Sequence, residues 1–335
     1  MYKFIYDLDL RMFDANPADA NPNVNTTTSS GLTDEMKTYY SDYLIDLVEP
    51  DLVHDMFAQK HPIPKGSGKT IEFRQWDALP EMLTPLEEGI TPDGQSLSMS
   101  TVTAHVEQYG GYVTLSDMFM LTAIDPVLIV ATKAIASQAG RTLDTVSREV
   151  LNSGTVVQYA EGQVSDRAQL TYTNEETNHN LTARAVKMAV RFLESQDAPK
   201  INGYYGGIVH PYCKFDLTSD KEWRAPHEYV DTKDIYENEI GELYGVRFVQ
   251  SSRAKKFAGE GADGADVYST LIMGADAYGT TEVTGGGLQH ITKPLGSAGT
   301  ADALDQRATC GWKATKVTKI LVPQYIVRIE TTATP

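Results

Sequence analysis

The stretch Lys65-Gly66-Ser67-Gly68-Lys69-Thr70 ends in Gly-Lys-Thr, as a nucleotide-binding phosphate loop does. Such a loop also needs a glycine separated from the Gly-Lys pair by four residues, a strand before it and a helix after it. Here the glycine position holds Ile63, Pro62 and Pro64 exclude a central strand, and Ile71 to Trp76 alternate with period two as a strand does. With no helix N-terminus to face a phosphate, KGSGKT reads as a flexible turn entering a strand. In Gly261-Ala262-Asp263-Gly264-Ala265-Asp266, two carboxylates in a glycine loop resemble half of a calcium turn, but no distal Glu stands in register and the stretch reads as a surface loop. His54, His61, His105, His179, His210, His227 and His290 form no HExxH or HxH pair and read as solvated or core imidazoles. Glu87-Glu88, or Glu239 with Glu242, have the composition of a glycosidase pair, yet among 45 acidic residues such pairs arise by chance. Gly285-Gly286-Gly287 lacks the context of a phosphate loop. Lys313, Lys316 and Lys319 fall in a strand-like run whose spacing of three scatters them over both faces, which suits a neighbour's acids better than DNA. No catalytic residue, cofactor or metal site is assigned.

A net charge of −16 opposes tight binding to a phosphate backbone, which depends on Lys and Arg displacing counterions. No apolar run reaches the ~18 residues of a membrane span. Asp7, Asp9 and Asp14 interrupt the N-terminus where a signal peptide would be apolar. Cys213 and Cys310 lack metal-site spacing and read as reduced, buried small hydrophobes, consistent with folding in a cytoplasm.

What would position any site is an ordered series of elements in a chain of 335 residues. Residues 14–31 are Asn, Pro, Asp, Thr, Ser and Ala, too polar to offset the entropy of ordering, and read as an extended arm. Met36, Tyr39, Tyr40, Tyr43, Leu44 and Leu47 follow at helical spacing. From 70 to 116 the chain reads as a hairpin: TIEFRQW, an acidic, proline-rich tip, and a return strand within Met99 to Leu115, where Val102, Ala104 and Val106 alternate before a break at Gly110-Gly111. Two strands have little face to bury by themselves, so their cover is expected on another molecule. A helix is predicted from Pro126 to Asn152 and a second from 182 to 195, with a short strand pair between them from 155 to 173. Strands are predicted at 204–209, 245–251, 267–273 and 316–330.

This order, with the stretches GIVHPYCKFDL, IGELYGVRFVQSS and VYSTLIMGADAYG, resembles the major capsid proteins of tailed bacteriophages, which share the Johnson or HK-97-like fold. EMKTYYSDYLIDL, GKTIEFRQW, EGITPDGQ, QYGGYVTLSD and SQAGRTLD are similar to the podophage-type branch. The resemblance implies an α+β chain with an N-terminal arm at 1–60, an extended hairpin or E-loop at 61–116 and a P domain at 117–200 carrying the spine helix 126–152. An A domain at 201–310 and a C-terminal strand at 311–335 returning to the core complete it. It implies a non-enzymatic shell protein of the virion, assembled in the host cytoplasm as pentamers and hexamers around double-stranded DNA, without sequence-specific DNA binding and without a membrane. Only about 30 residues precede the first helix, too few for a fused scaffold, so a separate scaffolding protein is implied, with a portal and room for a decoration protein. Some relatives crosslink a hairpin lysine; Lys65 and Lys69 stand at the hairpin base, and nothing in the sequence identifies partners for them. Under this reading Lys65, Lys69, Ile71, Phe73, Trp76, Val102 and Val106 meet a neighbouring subunit, while Tyr244, Val246 and Phe248 form A-domain core and capsomer contacts. An encapsulin-type bacterial compartment of the same fold is the alternative, and a carboxylate-dependent hydrolase the alternative of another class.

Overall fold

The computed structural model describes residues 52–62, 70–76, 79–85, 89, 91, 93–122, 127–172, 177–223, 239–281, 288–297 and 299–334. The arm, the helix expected near 33–47, and Lys65 and Lys69 lie outside them. A 3-10 turn at Val53–Asp55 leads into β1 (Gln59–His61). The alternating TIEFRQW forms β2 (Thr70–Trp76), paired antiparallel with β3 (Met99–His105), Thr70 opposite His105 and Trp76 opposite Met99. The expected return limb to Leu115 is corrected here. The ribbon ends at His105, and β4 (Glu107–Ser116) pairs instead with residues 307–316, with Gly110 and Gly111 in register opposite Lys313 and Trp312. The glycines serve close approach rather than a break: a Cβ at Gly111 would lie 2.7 Å from the Gln138 amide oxygen.

Two helices follow, α1 (Asp117–Thr122) and α2 (Val127–Asn152). At about 1.5 Å per residue α2 is ~39 Å long, and Ile135, Ala139 and Leu143 on its buried stripe are almost wholly inaccessible. Val146 and Val150 are half-buried, because the covered face turns toward Asp144, Ser147 and Leu151. Among the described residues of 155–172 there is one strand, β5 (Val157–Tyr159), where a pair was expected; the rest includes a 3-10 turn at Arg167–Gln169. Next comes α3 (Ala183–Ser195), capped by Thr182, whose hydroxyl accepts from the Ala185 N–H at 3.2 Å. β6 (Tyr205–Val209) runs into α4 (Pro211–Ser219), where His210 caps and Pro211 occupies the first turn.

The strands β7 (Glu239–Leu243), β8 (Val246–Gln250), β9 (Lys256–Phe257), β10 (Val267–Met273), β11 (Tyr278–Thr281) and β12 (Leu288–Lys293) follow. The single strand read at 316–330 is three: β13 (Arg307–Lys316), β14 (Thr318–Ile320) and, after a 3-10 turn at Pro323–Tyr325, β15 (Ile326–Thr331). Val317 and Pro323 interrupt what composition alone makes look continuous.

A seven-stranded mixed sheet has the order β5-β15-β10-β6-β8-β7, with β9 beside β10. Every residue of β10 is buried. One cluster joins Ile272 to Val186, Ala189 and Leu193 of α3 and to Phe248; another joins Leu271 and Met273 to Leu151 of α2 and to Tyr278. A three-stranded sheet, β12-β13-β4, packs one face on α2 through Cys310, Trp312 and Ala314, and a third sheet has the order β1-β11-β14.

Candidate functional site

The densest polar chemistry lies where residues 53–55, α2 and the end of β13 converge. The Lys316 ammonium donates to Asp55 Oδ2 at 2.5 Å and to the Leu143 carbonyl at 3.1 Å. The Ser147 hydroxyl donates to Asp55 Oδ1 at 2.6 Å. His54 Nδ1 lies 3.0 Å from both Asp144 oxygens, the His54 N–H donates to Oδ1 at 2.9 Å, and the Tyr278 hydroxyl donates to the His54 carbonyl at 2.6 Å. Burial raises the Asp144 carboxyl, but the hydrogen bonds and charge of His54, with the Lys316 ammonium, outweigh it and hold it below the usual carboxylate range. His54 and Asp144 are wholly inaccessible, Lys316 is 1% exposed and Asp55 5%. Groups so covered have no route to a substrate, although His54 Nε2 is buried without a hydrogen-bond partner. The cluster is a buried junction tying the entry segment to helix and sheet. Lys316, expected to meet a neighbour's acids, is therefore corrected to an ion pair within its own chain.

Glu87, Glu88 and Gly285–Gly287 lie outside the described residues. Asp266 of the glycine loop is taken by Lys256 at 2.6 Å and by the Gly259 N–H. Among the described residues no group of three or more His, Cys, Asp or Glu is placed to hold a metal. Both cysteines are free and buried, and burial pushes the Cys213 thiol up to about 12. No described helix is long and apolar enough to cross a membrane.

The predicted contact residues divide. Ile71 and Phe73 are buried with Ala104 and Val317 of their own chain, with Val102, Val106 and Leu321 packed around them. The Phe73 ring fills the space a Cβ at Gly279 of β11 would need. The expectation that Ile71 and Phe73 find cover on a neighbour is thus overturned: β11, β14 and the residues around them supply it. Trp76 forms the last backbone pair of the ribbon. Val246 and Phe248 are fully buried in the seven-stranded sheet's core. Tyr244 stands at the β7–β8 turn with φ +51°, partly exposed, its hydroxyl donating to Glu222 at 2.5 Å and the Lys187 ammonium 5.0 Å above its ring.

Among the described residues several apolar groups are exposed, including Met118, Phe119 and Leu121 of α1 and the two surfaces that follow. Beyond the ribbon, Leu79, Met82, Leu83 and Leu97 are exposed, Leu83 to 83%. On the outer face of the three-stranded sheet, Tyr112 and Ile291 flank Gly311 in a single cross-strand row and wall a groove of about 530 Å³. Lys293 and Lys313 stand in the adjoining rows. The groove residues escape the sequence reading because its last strand starts at Lys316. The alternation of Ala308, Cys310, Trp312 and Ala314 with Arg307, Thr309, Gly311 and Lys313 was the available signal.

A family model described as phage capsid protein matches residues 100–329. No curated protein sequence matches. Among solved structures, the capsid of Ralstonia phage GP4 superposes with a TM-score of 0.64 at 14% identity, over 84% of this chain and 88% of that one. The cyanophage Pam1 capsid superposes with a TM-score of 0.59 at 15% identity, over 80% and 86%. The SrpI encapsulin of Synechococcus elongatus superposes with a TM-score of 0.50 at 9% identity, over 85% and 89%. These likenesses show the HK-97-like fold, and the family match, spanning more than half the sequence, decides between its users: the chain belongs to the phage capsid protein family.

Proposed function

We propose that copies of this chain tile the icosahedral shell of a tailed phage around double-stranded DNA, without catalysis and without reading the DNA sequence. The observation that carries this, within the capsid family, is the hairpin. Its base is fixed on its own chain while its tip leaves Leu79, Met82, Leu83 and Leu97 facing solvent. A monomer gains nothing by holding out such a segment, whereas a lattice covers it at roughly 1.5 kcal/mol or more per fully buried side chain. The arm at 1–60 and the hairpin reach neighbours; the hairpin ends at His105 rather than 116. β4, α1 and α2 belong with a P domain, and the seven-stranded sheet forms most of an A domain at 201–310. Tyr244 lies where that domain would meet others around a capsomer. A scaffolding protein supplied in trans, a portal and assembly in the host cytoplasm complete the reading. Electron microscopy and sedimentation of the expressed chain, alone and with candidate scaffolds, test it: closed shells are expected, and a monomer under every condition overturns it. Extracted particles holding an enzyme instead of DNA would favour the encapsulin relationship.

A further inference from the structure

We propose that the segment 33–47, read from the sequence as an amphipathic helix, lies on its own chain across the corner between α1 and the start of α2. This goes beyond the shell reading by dividing the arm: residues before 33 are left to reach neighbours, while 33–47 stay on the subunit that carries them. Exposure is the first argument. α1 has no buried residue, and Met118, Phe119 and Leu121 on it, like Ile129 and Val130 in the first turns of α2, face solvent. A helix as short as α1 is not held by its own hydrogen bonds, so a packed partner is required. One flank of α2 runs Ile129, Lys133, Ala136, Gly140, Asp144 and Ser147 at steps of four and three. From Ala136 onward it is buried, beside Leu52, His54 and Asp55; Ile129 and Lys133, on the same flank, are open.

Where the chain enters is the second argument. His54 stands at Asp144 and Asp55 at Ser147, so 52–55 runs in the same sense as α2. Followed backward from Leu52, which shares a cluster with Ile135, Ala136 and Ala139, the chain heads for the α2 N-terminus. Pro50 closes any helix before it. As a helix, 33–47 measures ~22 Å, against ~14 Å from Ala136 back to Val127 and ~9 Å for α1, so it spans both arms of the corner. Chemistry is the third. Met36, Tyr39, Tyr40, Tyr43, Leu44 and Leu47 supply an apolar stripe, and Glu35, Asp42 and Asp46 line one edge of it. Lys133 stands one turn beyond Ile129, within a stretch, Val127 to Leu143, that carries Lys133 and Arg141 and no acid. Among the described residues no carboxylate pairs with Lys133. The acidic edge meets Lys133 while the tyrosines and leucines cover Phe119, Ile129 and Val130.

The test is zero-length crosslinking of the full-length chain. Unlabelled and nitrogen-15-labelled subunits are mixed below the concentration at which they assemble and treated with a carbodiimide, which joins an ammonium to a carboxylate in contact with it. Digestion and mass spectrometry identify the joined peptides. The Lys255–Glu149 pair, at 2.6 Å, is the internal control. Lys133 joined to Asp42 or Asp46, always within one isotope, is the expected result. Links of mixed isotope would place the segment on a second copy and overturn the proposal, as would the control link without any link from Lys133 to 33–47; either leaves the shell reading standing. Hydrogen exchange gives a second readout. Amides of 36–47 should be protected in the free subunit, and Ile129→Asp with Val130→Asp should speed their exchange at least about tenfold while β10 stays as slow as in the wild type. Unprotected amides in the wild type, or protection that survives the double change, counts against the docking.

Discussion

The two main sheets solve burial in different ways. The seven-stranded sheet is covered on both sides, so its middle strand β10 reads VYSTLIM, with even Ser269 and Thr270 inaccessible. The three-stranded sheet is covered on one side only. Its strand β13 alternates, with Ala308, Cys310, Trp312 and Ala314 toward α2 and Thr309, Gly311 and Lys313 away from it. A two-sided sheet is complete in the monomer, whereas a one-sided sheet keeps a face for something else. The junction between them, where α2 passes from one to the other, is held by the Asp55–Lys316 and His54–Asp144 pairs.

Breaking that junction should have the largest effect. Asp55→Ala leaves the Lys316 ammonium buried without its partner, and loss of a single member of such a pair costs about 3–5 kcal/mol. Urea unfolding of the unassembled subunit checks it. The double change Asp55→Leu, Lys316→Met removes both charges and should recover much of the loss. If the double variant is no better than Asp55→Ala, the cost lies in packing and not in the stranded charge.

Ile272→Ala in β10 comes next, at about 2–5 kcal/mol for an aliphatic side chain emptied from a core that cannot collapse. The urea midpoint should fall with little change of slope. A loss below ~1 kcal/mol would mean that the two-sided sheet tolerates voids as a one-sided sheet does.

Legibility in the sequence follows the same division. VYSTLIM, YYGGIV and GVRFVQS are rich in β-branched, aromatic and aliphatic residues, and each strand lies within a residue of its predicted bounds. The helices predicted at 126–152 and 182–195 correspond to α2 (Val127–Asn152) and α3 (Ala183–Ser195). TIEFRQW matches β2 in full. The one-sided elements were harder. In β4 the two glycines look like punctuation until Trp312 and Gln138 are seen pressing against them. The buried junction was invisible, since Asp144 and Ser147 on a helix look like solvent-facing residues unless their partners, some 90 residues earlier, are known. Ile71 and Phe73 were read correctly as apolar and buried, but period-2 alternation says only that a face is covered, not by which chain.

Acid should weaken the junction before it affects β10. Asp144 is held below its usual range in the folded chain, so it contributes stability above the unfolded carboxylate value of about 3.9, and that contribution is lost as pH falls toward its folded value. Thermal unfolding followed from pH 6 down to pH 3 should show a decline that is shallower in Asp144→Asn, although that variant starts from a lower plateau. An identical acid slope in both would place the linkage on other carboxylates.

The smallest effect on the subunit should come from the open face. Tyr112 and Ile291 cover nothing in the monomer, so Tyr112→Ala and Ile291→Ala should each change its stability by no more than about 0.5 kcal/mol, the range of surface substitutions. What separates them from other exposed positions is assembly. If the outer face is the docking side of a one-sided sheet, removing either wall of the groove should raise the concentration at which particles form while leaving the urea midpoint in place. A control such as Gln289→Ala on the same face, beside the groove, should do neither. A wall variant that lowers monomer stability by as much as Ile272→Ala would show the face to be covered within the subunit, and the contrast between the two sheets would disappear with it.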